Sequence, residues 1–190
     1  MARKKRRRGP GCALPLLLIL LGIFFLGRLL AGGKDLEKLN IDSHESFYEN
    51  LAPYAKKTGE KYNLYPSMIL AQAALESGYG ESQLAVKYNN LFGVKSTDGE
   101  GVSLETDEII DGKRQSQQEV FAVYKDLDHT FEAYGKLLGT APRYEKVAAA
   151  TSLDEALAAL DEAGYSTNPH YGDLLRQVIE KDELYTYDEE

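Results

Sequence analysis

One carboxylate in this chain sits where acid chemistry is favoured. Glu76 falls in the last turn of PSMILAQAALES, residues 66–77, whose apolar residues recur at helical spacing. Pro66 suits a first helical position, and Gly78 and Gly80 stop the run. Met68, Ile69, Ala71 and Leu75 give a compact apolar face, and the small Ala71, Ala73 and Ala74 let a neighbouring helix approach closely. Two influences act on a carboxyl group placed there, the negative end of the helix dipole and partial burial. Both favour the protonated form near neutral pH. A carboxylic acid that keeps its proton at that pH can serve as a general acid, for example toward the leaving oxygen of a glycosidic bond. The same residues also fit a surface glutamate at a helix end, so the segment alone leaves both readings open.

The elements that must hold this acid follow from capping residues and breakers. A first helix is expected from Ser43, a capping residue, to about Tyr62, with a break or kink near Asn50 caused by Pro53. After the Glu76 helix come a short helix around Glu81–Lys87 and a turn-rich loop at Thr97–Gly101. Two extended segments, Val102–Ile110 and Lys113–Tyr124, flank Asp111-Gly112, a two-residue hairpin signal. Helical patterns then run over Asp128–Gly139, Tyr144–Ala150, Ser152–Ala163 and His170–Asp182, separated by Pro142, Gly164 and Pro169. The last residues, from Tyr185 to Glu190, read as a polar, frayed tail. Many helices and one hairpin make an α+β architecture: a mainly helical lobe and a small β-hairpin lobe with a substrate groove between them.

Glycoside hydrolysis usually uses a second carboxylate. The hairpin offers Glu105, Asp107, Glu108, Asp111 and Glu119, and strand alternation puts Thr106, Glu108 and Ile110 on one face. The pattern alone does not choose among these acids.

The charge distribution divides the chain. Its net charge is −8, yet residues 1–33 hold seven Lys/Arg and no acid, leaving 15 basic and 30 acidic residues beyond them. An acidic body argues against nucleic acid as a partner, because phosphate binding needs Lys/Arg neutralisation. Residues 1–12 form a basic head and residues 13–31 a nearly unbroken apolar segment. As a helix that segment spans roughly 28 Å, close to the hydrocarbon thickness of a bilayer. A basic head before one apolar span predicts a single-pass signal-anchor in the cell membrane, with the N-terminus cytoplasmic and residues 34–190 outside. The alternative is a cleaved signal peptide and a secreted body. Residues 32–42 read as a stalk, 43–185 as the folded domain and 186–190 as the tail. Cys12 is the only cysteine, so the body has neither a disulfide framework nor a thiol nucleophile. His44, His129 and His170 are far apart and form no metal-ligand spacing, and no cofactor is expected.

The blocks AQAALESGYGES, NNLFGVK, TDEIIDGK, FAVYKDLDHTFEAYGKLL and AGYSTNPHYGDLL follow in that order over roughly residues 45–185. Together they resemble the glucosaminidase family of peptidoglycan hydrolases. The resemblance implies a lysozyme-like fold and endo-acting cleavage of the β-1,4 bond after N-acetylglucosamine in the glycan strands of bacterial cell wall. It places the general acid at Glu76 and the second acid at Glu108, with Asp107 or Glu105 as the alternative. Tyr165, in AGYSTNPHY, matches a tyrosine at the family's catalytic centre, where a phenol orients water or contacts the N-acetyl group. Asn168 stands where the family often has Asp. Tyr88, Asn90 and Phe92 are the expected substrate contacts; with 13 tyrosines and no tryptophan, sugar stacking rests on Tyr and Phe. Two other functions share these residues: a lytic transglycosylase or muramidase of the same fold, and a wall-binding scaffold without activity.

Overall fold

The computed structural model describes residues 41–110 and 113–189, with side chains described for 41–106 and 116–189. The expected basic head, apolar segment and nearly all of the stalk lie outside the described residues, as does the Asp111-Gly112 turn. Among the described residues, no helix is long and apolar enough to cross a membrane.

Ser43 opens α1 (His44–Tyr62) with a reciprocal cap: its hydroxyl accepts from the Ser46 N–H, and the Ser46 side chain bonds back to the Ser43 N–H. The break expected near Asn50 does not occur, and the helix runs through Pro53. Pro53 and Glu49 are exposed, so the carbonyl that proline leaves unpaired faces water.

α2 (Pro66–Ser77) is the central element. Every residue from Ser67 to Ala74 is buried, as are Glu76 and Ser77, so this helix is apolar nearly all round. Gly78 ends it in a left-handed conformation (φ 57°) that costs a glycine little. Its first turn has no cap from Tyr65. Asp188 supplies one instead, accepting from the Ser67 N–H at 2.8 Å and the Ser67 hydroxyl at 2.6 Å. The expected frayed tail is therefore corrected. Leu184–Tyr187 form a 3-10 turn with Leu184 buried, and Asp188 ties the segment to α2.

α3 (Gln83–Tyr88) starts at the Ser82 cap. β1 (Val102–Ile110) pairs antiparallel with β2 (Lys113–Phe121), in a register running from Val102↔Phe121 to Ile110↔Lys113. β2 ends three residues before the expected Tyr124, because the chain turns back onto the body. The N–H groups of Ala122 and Tyr124 donate to the carbonyls of Val94 and Tyr88. α4 (Leu127–Thr140) is capped by Asp126. The helix expected over 144–150 is shorter, a 3-10 turn Pro142–Tyr144 leading into α5 (Glu145–Ala148), because Ser152 already caps α6 (Leu153–Glu162). α7 (Tyr171–Lys181) completes the domain.

α1 packs on α2 and α4, while α7 packs on α2 and α6. Gly135 and Gly139 of α4 lie directly against Tyr62, with Thr58 also against Gly135, so the small residues set the α1–α4 approach. The hairpin joins the body at its base, where Lys95 bridges to Phe121 and its ammonium pairs with Glu119 at 3.1 Å.

Candidate active site

Glu76 reaches the end of α2 with its carboxyl turned into the domain, and only 8 % of the residue is exposed. Burial pushes this carboxyl from 4.5 up to about 8, against the opposing pull of a hydrogen bond from Tyr171. The Tyr171 hydroxyl donates to Oε1 at 2.7 Å. Oε2 has no partner among the described residues and is not among the polar atoms sealed from solvent without one. The group thus has one oxygen held by the protein and one left for a ligand.

Beneath the acid lies a layer of four tyrosines, Tyr134, Tyr144, Tyr165 and Tyr171, all essentially inaccessible. Tyr165 stacks on Tyr171 with ring centres 5.3 Å apart and meets Tyr144 edge-on at 5.9 Å. Burial holds the phenols of Tyr134, Tyr165 and Tyr171 well above their ordinary range, and the nearby Glu76 charge adds to this. These hydroxyls stay protonated, so they act as hydrogen-bond donors and not as bases. Gln72, one turn before Glu76 on the same helix face, links the layer to the acid. Its Oε1 accepts from the Tyr134 hydroxyl, and its Nε2 donates to the Tyr171 oxygen at 3.3 Å.

The structure distributes the expected site residues unevenly. Tyr165 lies in the buried layer without a hydrogen bond to Glu76, and its hydroxyl has no partner among the described residues. The tyrosine that does touch the acid is Tyr171, six residues on in the same AGYSTNPHY block and the first residue of α7. Asn90 and Phe92, expected on the groove floor, are core residues. Asn90 donates to the Val94 and Ala122 carbonyls, both at 2.9 Å, and accepts from the Val94 N–H at 3.0 Å, so both amide N–H donors are used within the protein and the residue is only 1 % exposed. Phe92 is fully buried and stacks on Tyr134 at 4.0 Å. Tyr88 is half-buried at the end of α3.

Glu108 stands opposite Gln115 in the hairpin; its side chain, like that of Asp107, lies outside the described residues. Glu105 accepts from Ser116 across the strands, and Glu119 is paired with Lys95. A cavity of about 600 Å³ runs between the hairpin base and α4, bordered by Val94, Lys95, Tyr124, Lys136 and Leu137. Among the described residues, no group of three or more His, Cys, Asp or Glu side chains is placed to hold a metal ion.

Comparison with known proteins gives this geometry a context. The family model described as mannosyl-glycoprotein endo-beta-N-acetylglucosaminidase, the glucosaminidase domain, matches residues 52–184. The exo-glucosaminidase LytG of Bacillus subtilis is 37 % identical over 199 aligned positions, covering 100 % of this chain and 71 % of that protein. A probable N-acetylmuramidase of Lactococcus lactis is 36 % identical over 156 residues, which is 77 % of this chain but only 35 % of that protein. Among solved structures, the catalytic domain of the autolysin Auto from Listeria monocytogenes superimposes with a TM-score of 0.68 at 32 % identity, covering 80 % of this chain and 93 % of that one. The mainly helical fold with its small two-stranded sheet is the lysozyme-like one. The chain belongs to the glucosaminidase family and is a glycoside hydrolase.

Proposed function

We propose that this enzyme is a peptidoglycan hydrolase that cuts the β-1,4 bond following N-acetylglucosamine within bacterial cell-wall glycan. The observation that carries the reading is the Glu76 carboxyl buried at the end of α2 and held through one oxygen by Tyr171, where burial raises it to about 8 and so favours the protonated form at neutral pH. In the proposed reaction Glu76 gives its proton to the bridging oxygen, the bond from that oxygen to the anomeric carbon breaks, and the leaving sugar departs as an alcohol. Positive charge develops at the anomeric carbon. Glu108, the acid to which the family resemblance points, is proposed to stabilise it or to activate water, with Asp107 or Glu105 as the alternative; Glu119 is paired with Lys95. The substrate's own acetamido group is the alternative helper. Water adds at the anomeric carbon; its proton goes to Glu76 where Glu108 only stabilises the charge, and to Glu108 where that carboxylate activates the water, solvent then returning both carboxyls to their starting states. Tyr88 is the proposed aromatic contact for a sugar face, and Tyr165 supports the centre from below through Tyr171.

Residues 13–31 are proposed to anchor the enzyme in the membrane, with the catalytic domain on the outer side. Their length and the preceding basic head support this. Fractionation of cells making the full chain or a chain lacking residues 1–31 tests the anchor. Recovery of both proteins in the soluble fraction defeats it.

Mass spectrometry of digested sacculi tests the reaction. Reducing N-acetylglucosamine ends on internal fragments are expected from wild type, and no fragments from Glu76→Gln. Release of single terminal sugars would mean exo-action, as the name of the Bacillus relative states. Reducing N-acetylmuramic acid or anhydro ends would support the muramidase or transglycosylase reading, which the Lactococcus relative's name favours. No cleavage by wild type would leave the scaffold reading.

A further inference from the structure

We propose that Gln72 is a positioning residue that sets which oxygen of Glu76 carries the transferable proton. The proposal rests on Glu76 being the general acid. Three hydrogen bonds form a directed chain: Tyr134 hydroxyl to Gln72 Oε1, Gln72 Nε2 to Tyr171 oxygen, Tyr171 hydroxyl to Glu76 Oε1. Each link fixes the next. A primary amide has distinct donor and acceptor ends. With Tyr134 donating into the carbonyl end, the N–H end faces Tyr171. Tyr171 then accepts through its oxygen, so its own proton goes to Glu76. Oε1 is thereby an acceptor, and the proton of the neutral acid resides on Oε2, which takes no hydrogen bond from the described residues.

Reversing the amide reverses the chain. Tyr171 would donate to Gln72, and Glu76 would donate to Tyr171 through Oε1, with its proton turned into the core and away from any substrate. Gln72 and Tyr134 are fully buried, so water does not compete for either orientation. The Tyr134 ring is held by Phe92 stacked at 4.0 Å, which keeps its hydroxyl on the amide. The Gln72 N–H also polarises Tyr171 as a donor, which favours the ionised carboxyl and so limits how far burial raises it.

The test uses the full chain and two variants. Gln72→Met keeps the side-chain length and removes both ends of the amide. Tyr134→Phe keeps the ring packing and removes only the anchoring hydroxyl. Two readouts are taken: the pH profile of wall-glycan hydrolysis, and the Glu76 carboxyl titration followed by carbon-13 NMR without substrate. Gln72→Met is expected to move the carboxyl titration and the alkaline limb together to higher pH. It should also lower kcat about tenfold, the factor one ordinary hydrogen bond carries, with KM unchanged. Tyr134→Phe should shift both readouts in the same direction by less. If both stay at their wild-type positions in either folded variant, Gln72 is only a packing residue and the proposal falls, whatever happens to kcat or thermal stability. The NMR titration reads out even where no hydrolysis is seen, so failure of the glycosidase assignment is distinguishable from failure of the Gln72 role.

Discussion

Replacing Glu76 with Gln should abolish activity and at the same time stabilise the domain, by an amount that grows with pH. The carboxyl ionises near 4.5 when unfolded and near 8 when folded. Between those values the folded state holds a proton that the unfolded state has released, so stability falls as pH rises. The favourable contribution of Glu76 is complete below about pH 4.5 and lost by about pH 8. At roughly 1.4 kcal/mol per pH unit this interval corresponds to about 5 kcal/mol, trimmed to about 3–5 kcal/mol because Oε2 keeps some contact with solvent. Gln72, Tyr134 and Tyr171 need not move, since the glutamine carbonyl still accepts from Tyr171. The difference between Glu76→Gln and wild type should therefore be near zero at pH 4.5 and reach its full value at pH 8, about 10 °C in melting temperature for a domain of this size. Paired denaturant titrations from pH 4.5 to 8 measure it, and other ionisable groups cancel in the comparison. A difference that stays flat over this range would mean that residue 76 titrates like an ordinary surface carboxylate, and the account of the acid would be refuted.

Four other outcomes follow from the same geometry. Tyr171→Phe removes the bond that favours ionised Glu76, so the alkaline limb of hydrolysis should move to higher pH while kcat falls, read from initial rates on solubilised glycan. Asn90→Ala strands the Val94 N–H and the Ala122 carbonyl, while the Val94 carbonyl keeps the Ala122 N–H, and should cost about 2–3 kcal/mol in chemical denaturation, with KM of the folded enzyme unchanged; a raised KM at wild-type stability would return Asn90 to the sugar site. Gly135→Ala drives a methyl group into Tyr62 and Thr58 and should cost about 1–3 kcal/mol, seen as a lower denaturant midpoint. Asp188→Ala should remove about 1 kcal/mol by uncapping α2, seen as a melting point lowered by a few degrees.

The parts of this domain that local chemistry determines were legible in its sequence. Pro66 begins α2 and Gly78 ends it, Ser43 and Ser152 cap the helices they precede, and the two extended segments pair as antiparallel strands with Ile110 opposite Lys113. What depended on tertiary partners was not. Tyr165 and Tyr171 share one block and one residue type, and only the placement of α7 decides which hydroxyl meets Glu76. Asn90 has the composition of a sugar ligand but spends its amide on closing the loop beneath the hairpin. Asp188 looks like a solvated tail residue until α2 is seen to lack its own cap. Gln72 carried a signal that could have been used: an amide four residues before a candidate acid lies on the same helical face.

The bond between Asp188 and Ser67 also has a bearing on the order of biosynthesis. The two residues are 121 positions apart, so a ribosome releases the second long after the first. The leading end of the acid-bearing helix stays unfinished until almost all of the domain has been made. A nascent glucosaminidase caught midway in translation thus holds its acid on a scaffold still lacking its final clasp, and the blade is fixed in its handle only as synthesis of the domain ends.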